Sequence, residues 1–258
     1  VIILLFVVVA VAAPLIAPYG YNELNPADAY QGPSLKHLLG TDNLGRDLLS
    51  RVMYGARYSL GMAAVAEVLG LAVGLVLGCL AGYFGGWADT LIMRLMDIFQ
   101  SIPSILLAVI ISTVFGGTFL GTSIALCSMS LSSFARMSRA QLLKIRSEEY
   151  VEAAQAIDCS VPRQIFKHML PNILSPLIVS LTMGAGNVIT SAAMLSYIGL
   201  GIQPPNPEWG AMLSASKTYM RLYPHMMIVP GVCIAIVVLA LNLVGDALRD
   251  AMDPKLKD

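Results

Sequence analysis

Long apolar runs separated by short polar stretches dominate this sequence of 258 residues. An α-helix needs about 20 apolar residues to cross the roughly 30 Å hydrocarbon core of a bilayer, because each residue adds about 1.5 Å of length. Runs that meet or approach this length predict six membrane spans, at about residues 1–18, 59–83, 91–115, 118–135, 172–199 and 225–245. The pattern therefore predicts an all-α integral membrane protein with about six transmembrane helices.

Composition agrees with a membrane protein and excludes an ordinary soluble domain. Hydrophobic residues make up 57% of the chain and charged residues only 12%, which is half the usual charged share of about 25%. The formal net charge is zero, so nothing in the charge balance favours binding to nucleic acid. No cysteine pair is placed to form a disulfide outside the cytoplasm. The sequence begins at Val1 inside an apolar run, so we expect N-terminal residues to precede it and do not interpret the run as a signal peptide.

A basic segment at 136–171 lies between two predicted spans and sets the orientation. It carries six Lys and Arg residues, and positive charge in a short loop favours the cytoplasmic side. Six spans then place both termini in the cytoplasm, where Arg249, Lys255 and Lys257 also belong. Segments 19–58 and 200–224 are predicted to lie on the opposite, extracytoplasmic side.

The basic segment also predicts folded structure. Ser147 followed by Glu148 and Glu149 is typical of a helix N-terminus, where a serine caps exposed amides and acids favour the positive end of the dipole. We expect a helix at 148–157, a break near Asp158, and a second short helix from Ser160 to Pro171.

The first of these helices has the composition of a docking element. Ala153 and Ala154 would let a partner groove approach the backbone closely, and Glu152 offers a carboxylate to a basic partner. Two interpretations are open: the helix docks a soluble partner in the cytosol, or it lies as an amphipathic helix on the lipid surface.

The second span contains a glycine repeat and one buried acid. Gly70, Gly74 and Gly78 recur every four residues, so they share one helix face that another backbone can approach closely. That face packs either within this chain or against a second chain. Glu67 lies on the same side and either lines a transport path or is protonated or paired. Arg94 and Asp97 are spaced to form an ion pair.

Four groups of residues carry a resemblance to a known family. Glu152-Ala153-Ala154 with Leu170-Pro171 resembles the EAA loop of ATP-binding-cassette importer permeases, with Asp158 at the position where that loop has glycine. The other groups resemble the second, C-type permease of the dipeptide, oligopeptide and nickel importers, and they are 39–57, 196–210 and 242–254.

This resemblance implies a fold, partners and a role. The fold is the type I importer permease architecture, with a first transmembrane helix at 1–18, an extracytoplasmic segment at 19–58 and a permease core domain at 59–257. The implied partners are a homologous second permease, two cytosolic ATPase subunits and an extracytoplasmic solute-binding protein, in a prokaryotic inner membrane. ATP and Mg would be bound by the ATPase subunits, with no cofactor or metal in this chain. The residues implied in ATPase coupling are Glu149, Tyr150, Glu152, Ala153, Ala154, Ile157, Asp158, Leu170 and Pro171.

The function that follows is half of the translocation path of an ATP-driven importer for peptides, nickel chelates or other small solutes. The chain has no G-x-x-x-x-G-K-[ST] loop to cradle ATP phosphates, so we expect it to transmit motion rather than hydrolyse ATP. An autonomous carrier would favour inverted repeats with charges at the membrane midplane. An intramembrane hydrolase would need a nucleophile dyad, paired acids or metal ligands such as H-E-x-x-H, which the sequence lacks.

Overall fold

The computed structural model describes residues 1–252, which fold almost entirely into helices. The predicted all-α fold class is therefore confirmed. Asp253, Pro254, Lys255 and Lys257, which contributed to the sequence-based predictions, lie outside the described residues. The helices are α1 (Ile2–Ile16), α2 (Leu48–Phe84), α3 (Gly86–Ser101), α4 (Ser104–Phe115), α5 (Phe119–Ile145), α6 (Glu149–Ala156), α7 (Val161–Tyr197), α8 (Trp209–Ser216) and α9 (His225–Met252).

All six predicted spans fall on helices, but not every helix is long and apolar enough to cross a membrane. Within residues 1–252, α2, α7 and α9 are long and apolar enough, and α3 with α4 would make a fourth span if counted together. Helix α1 is apolar but only 15 residues long. It ends because Ala17, the residue before Pro18, has an extended backbone. Helix α2 begins at Leu48, so the predicted connector at 19–58 already contains its first turns.

The predicted third span at 91–115 is broken. Helices α3 and α4 meet at an angle of 93° around Ile102 and Pro103. Proline disfavours helical backbone in the residue before it, and Ile102 is accordingly extended, with ψ at 129°. The prediction of one continuous span here is wrong, and Pro103 is the residue that explains the break.

The basic segment is not a separate loop along its whole length. Arg136 and Arg139 lie inside α5, which continues to Ile145, and they pair with acids on α3. Arg136 lies 2.8 Å from Asp97, which also receives the predicted contact from Arg94 at 3.3 Å. Two of the six basic residues therefore hold α3 against α5, and the lobe between α5 and α7 is shorter than predicted.

The glycines of α2 make room for α5 of the same chain. A Cβ atom on Gly74 would lie 2.6 Å from Phe134 Cβ, and one on Gly78 would lie 2.3 Å from the carbonyl oxygen of Ala135. Gly70 meets α5 in the same way. The repeat therefore serves packing within the chain, which is the first of the two interpretations above. Since α5 covers this stripe, the stripe offers no free surface to a second permease.

A polar cap, defined as residues 17–47 and 198–224, covers the end of the bundle where α2 begins. His37 is buried, with Nδ1 3.0 Å from Asp47 Oδ1 and Nε2 facing Asp28. Asp47 also caps α2 by accepting a hydrogen bond from the Ser50 amide at 2.8 Å. Gly40 and Gly45 both have positive φ, a turn conformation that glycine adopts without steric cost. The cap is therefore an ordered structure rather than a slack connector.

Trp209 is a core residue of this end of the molecule. Its side chain is completely buried, its Nε1 donates to the Val52 carbonyl oxygen at 3.0 Å, and its ring meets Phe6 edge-on. Tryptophan is often found at the membrane interface, but Trp209 is not exposed there. The tryptophan instead ties α8 to α1 and α2.

The ion pair of the cap gives a pH prediction. Lys36 holds the pKa of Asp28 below its ordinary 3.8, and Asp28 in turn raises the pKa of Lys36 above 10.5. A lowered carboxyl pKa contributes stability that is complete above 3.8 and is lost as pH falls through the folded-state value. We expect the protection of amides in 25–41 against hydrogen exchange, measured relative to the unstructured-chain rate at the same pH, to fall below about pH 4 in the wild type. In Asp28→Asn this protection should already be low at pH 7 and should fall less in acid, and an acid-induced loss equal to that of the wild type would contradict this assignment.

Candidate functional site

Helix α6 lies in the lobe, defined as residues 146–171, at the end of the bundle opposite the cap. It spans Glu149–Ala156, slightly shorter than the predicted 148–157. Glu148 is its N-cap residue and no side chain caps it, so the prediction of a Ser147 cap is wrong. Glu149 and Glu152 lie in the first turn, where acids are stabilised by the helix dipole.

The two sides of α6 differ sharply in exposure. Val151 is fully buried and Ala154 is 5% exposed, so both face the protein. The prediction that Ala154 faces a partner together with Ala153 is therefore wrong. The exposed surface of α6 that we call the docking face combines small, apolar and acidic residues, with Tyr150 at its margin beside α7: Glu149, Tyr150, Glu152, Ala153 and Ile157.

Helix α6 ends in a left-handed turn at Asp158. The Asp158 amide donates to the Gln155 carbonyl at 3.0 Å and the Cys159 amide donates to the Ala154 carbonyl at 3.1 Å. This is the Schellman arrangement, in which the residue after the C-cap normally is glycine. Asp158 adopts it with φ at 54°. Asp158 thus adopts the left-handed conformation that glycine would adopt at this position, and its Cβ atom makes that conformation strained.

Relieving that strain should stabilise the end of α6. A left-handed conformation costs a non-glycine residue roughly 1–2 kcal/mol, and glycine gives back about 0.5–1 kcal/mol as lost chain entropy. We expect Asp158→Gly to stabilise the turn by about 0.5–1 kcal/mol, measured as slower amide hydrogen exchange in 149–159. The matched change Ile157→Gly, at a residue with φ of −90°, should speed up exchange instead. Equal effects of the two changes would contradict the assignment of strain to Asp158.

The second predicted helix of the lobe does not end at Pro171. It begins at Val161, widens into a π-helical turn at Gln164–Met169, and continues as α7 to Tyr197. Proline is tolerated in an early turn of a helix, and the wide turn precedes Leu170 and Pro171 directly. Leu170 is half-buried and Pro171 is exposed. The lobe is thus continuous with a long helix of the bundle rather than separated from it.

Side-chain hydrogen bonds connect the lobe to the bundle. The Tyr83 hydroxyl near the end of α2 donates to Gln164 Oε1 at 2.8 Å, and Gln164 Nε2 donates to the Cys159 carbonyl at 2.6 Å. On the other side, Asn172 donates to the Tyr150 hydroxyl at 3.2 Å. Helix α6 is therefore tied at its start to α7 and just after its end to α2.

An apolar cluster beneath α6 makes the same connection. Val151 of α6 packs with residues of α2, α5 and α7 that are nearly all fully buried. Closely packed interiors transmit displacement because they have few voids to absorb it. A push on the docking face is thus carried to three helices of the bundle. This lobe cluster consists of Cys79, Phe134, Leu142, Val151, Met169, Ile173 and Leu177.

The same three helices, with α4 and α9, line an open cavity of about 720 Å³. Glu67 lies in the wall of this cavity and is 1% exposed. This position agrees with the interpretation that Glu67 lines a transport path. Neutral hydroxyl and amide groups make up most of the other polar lining. The polar lining residues are Glu67, Ser104, Ser130, Ser133, Ser175, Ser180, Asn187, Ser191 and Arg249.

Sequence reasoning misses two features of this site. Tyr83 and Gln164 are 81 residues apart, and nothing in the sequence pairs them. The serines of the cavity could have been recognised from the sequence, because a serine at every few positions of an apolar helix indicates a face that contacts a polar environment. Within residues 1–252, no group of three or more His, Cys, Asp or Glu residues is placed to hold a metal ion.

Comparisons with known proteins identify the chain's relatives. A family model described as "Binding-protein-dependent transport system inner membrane component" matches residues 74–258, and one described as "N-terminal TM domain of oligopeptide transport permease C" matches 1–33. The dipeptide transport system permease protein DppC of Alkalihalophilus pseudofirmus is 44% identical, over 100% of this chain and 84% of the relative. The glutathione transport system permease protein GsiD of Pectobacterium atrosepticum is 41% identical, over 99% and 85%.

Solved structures show the same fold at lower identity. A chain of the inward-facing MetNI methionine ABC transporter superposes with a TM-score of 0.63 at 21% identity, covering 80% of this chain and 98% of that one. A chain of an amino acid ABC transporter gives 0.56 at 14%, covering 80% and 99%. The type I importer permease fold implied by the motifs is thus confirmed. Together with the family match over most of its length, this shows that the chain belongs to the inner membrane permeases of binding-protein-dependent transport systems.

Proposed function

We propose that this chain is one of two permease subunits of an ATP-driven importer for peptides or related small solutes. In this proposal it forms half of the translocation path and receives the motion of an ATPase through α6. The observation that carries the proposal is the lobe cluster, because it joins an exposed docking face to the helices that line the cavity.

The partners follow from the two ends of the molecule. The docking face suits a groove on a cytosolic ATPase subunit, which binds ATP and Mg, and the cap suits an extracytoplasmic solute-binding protein. A homologous second permease completes the cavity. In this arrangement the lobe and both termini lie in the cytoplasm of a prokaryotic cell, where positive charges outside the spans accumulate. The roles assigned to Glu149, Tyr150, Glu152, Ala153 and Ile157 belong to this proposal, and Asp158, Leu170 and Pro171 shape the lobe around them.

The mechanism is a change in population between two states of the bundle. Closure of the ATPase pair moves α6 as a rigid element, and the lobe cluster carries that movement to α2, α5 and α7. The cavity then opens alternately to either side, and direction comes from the different affinity of each state for the solute. Peptide-type cargo is favoured over nickel chelates because the similar permeases are named for dipeptide and glutathione transport.

Reconstitution tests the proposal directly. The chain is coexpressed with the second permease, the ATPase subunits and the binding protein of its own system, and the purified complex is placed in proteoliposomes. We expect ATP-dependent uptake of dialanine or glutathione that requires the binding protein. Uptake without ATPase subunits would indicate an autonomous carrier, and failure of the ATPases to copurify would overturn the proposed function.

A further inference from the structure

Glu67 is a buried acid for which the described structure provides no partner. Its Oε2 atom is fully enclosed and has no hydrogen-bond partner, and no basic nitrogen of residues 1–252 lies within 4.0 Å of the carboxylate. An ionised carboxylate in such a place is costly unless a cation meets it. Glu67 is one of the residues that line the cavity, so a cation in the cavity lies next to the carboxylate, and a small movement of the side chain brings Oε2 to it.

The neighbouring backbone leaves room for this carboxylate. A Cβ atom on Gly184 of α7 would lie 2.9 Å from both Glu67 oxygens, so glycine is the residue that lets the acid lie against α7. Glu67 is the twentieth residue of α2, which has 37 residues, so it is near the middle of that helix. A mobile solute crossing between the two ends of the bundle passes this level.

The remaining groups of the cavity set the chemistry of the cation. Ser130 and Asn187 supply neutral hydrogen-bonding groups, and within residues 1–252 Arg249 is the other ionisable residue of the wall. Gly245 of α9 packs against Met183 of α7, which puts Arg249 about 6 Å further along α9, away from the level of Glu67 and toward the lobe. The wall of the cavity thus carries an acid and a base at different levels, which suits a solute with one positive and one negative group.

We propose that Glu67 binds the primary ammonium group of the transported solute as it occupies the cavity. The ammonium donates up to three hydrogen bonds, one of them to the Glu67 carboxylate, for which residues 1–252 provide no partner. Glu67 is thus a specificity-determining residue for solutes with a free amine. This inference rests on the proposed function and names the part of the solute that the cavity recognises.

Uptake by the complete complex in proteoliposomes gives the first test. Glu67→Gln keeps the shape of the side chain and removes the charge, and we expect dialanine uptake to fall about tenfold or more, because hydrogen bonds to charged groups are the strong ones. ATPase stimulation by the loaded binding protein should stay within about twofold, since the docking face is untouched. Glu67→Asp, which keeps the charge on a shorter side chain, should recover a substantial part of the uptake.

Binding without the solute-binding protein gives the second test. Saturation-transfer NMR on the detergent-solubilised complex compares dialanine with N-acetyl-dialanine, which lacks the ammonium. We expect the wild type to bind dialanine at least threefold more tightly than the acetylated form, and Glu67→Gln to bind both equally weakly. Wild-type uptake by Glu67→Gln, or equal binding of the two peptides by the wild type, would overturn the inference and show that Glu67 is a neutral packing residue. Absence of any ATP-dependent uptake by the wild type would instead count against the proposed function.

Discussion

Replacing Gly78 with alanine is expected to weaken the packing of α2 against α5 and to destabilise the whole bundle. The new Cβ atom would lie 2.3 Å from the Ala135 carbonyl oxygen and 2.6 Å from Ser138 Cβ. The oxygen belongs to the backbone of a long helix, so it cannot move away as the end of a flexible side chain would. Overpacking of this kind costs about 1–3 kcal/mol, and more where the backbone itself must shift. In lipid the loss is not masked, because close packing is the main attraction between helices.

A second glycine provides the matched control. Gly231 lies inside α9, where a Cβ atom would find its nearest neighbour, Leu213 Cδ2, at an ordinary 3.8 Å. Gly231→Ala should leave stability unchanged or raise it by up to about 1 kcal/mol, since alanine is the better helix former. The measurement is the thermal unfolding midpoint of each purified variant in the same detergent. If both variants unfold at the wild-type midpoint, α2 and α5 are not held at the separation described here.

The glycine repeat also shows what a sequence can establish about packing. Gly70, Gly74 and Gly78 share a face because of helix geometry alone, so a close approach at that face was predictable. The partner was not, because the sequence offers several apolar helices and only the fold selects α5. In the broken span, the sequence did contain the decisive signal. Pro103 indicates a break, but the long apolar run around it led to the prediction of a continuous helix.

The lobe divides in the same way. Its helix, its acids and its turn at Asp158 follow from local signals, and the structure has all three. The direction in which each alanine faces depends on how α6 lies on the bundle, so local sequence does not separate Ala153 from Ala154. The Tyr83 and Gln164 contact joins residues that only the fold brings together. Local chemistry was therefore predictable, and the route from the lobe to the bundle was not.

Placing a large side chain on the docking face is expected to disconnect ATP hydrolysis from transport. Ala153 lies at the centre of that face and is exposed, so Ala153→Trp keeps α6 folded but prevents a groove from closing over it. The central, fully desolvated positions of an interface carry most of its binding energy, so we expect uptake to fall at least about tenfold. Basal ATP hydrolysis by the ATPase subunits should stay within about twofold, because their own active sites are unchanged. Bulky replacement of Glu152 should act in the same direction.

Gln155→Trp is the matched control for this experiment. Gln155 is also exposed, but at about 100° per residue it lies about 200° around α6 from Ala153, away from the centre of the docking face. An indole there should leave uptake near the wild-type level, and both variants should bring down the second permease equally. Transport by Ala153→Trp at the wild-type rate would refute the proposal that α6 transmits the ATPase motion. A rigid helix cannot transmit force through a surface that its partner no longer contacts. An equal loss of uptake in both variants would mean that any large side chain on α6 disturbs the lobe cluster. The docking face would then have no specific role in coupling.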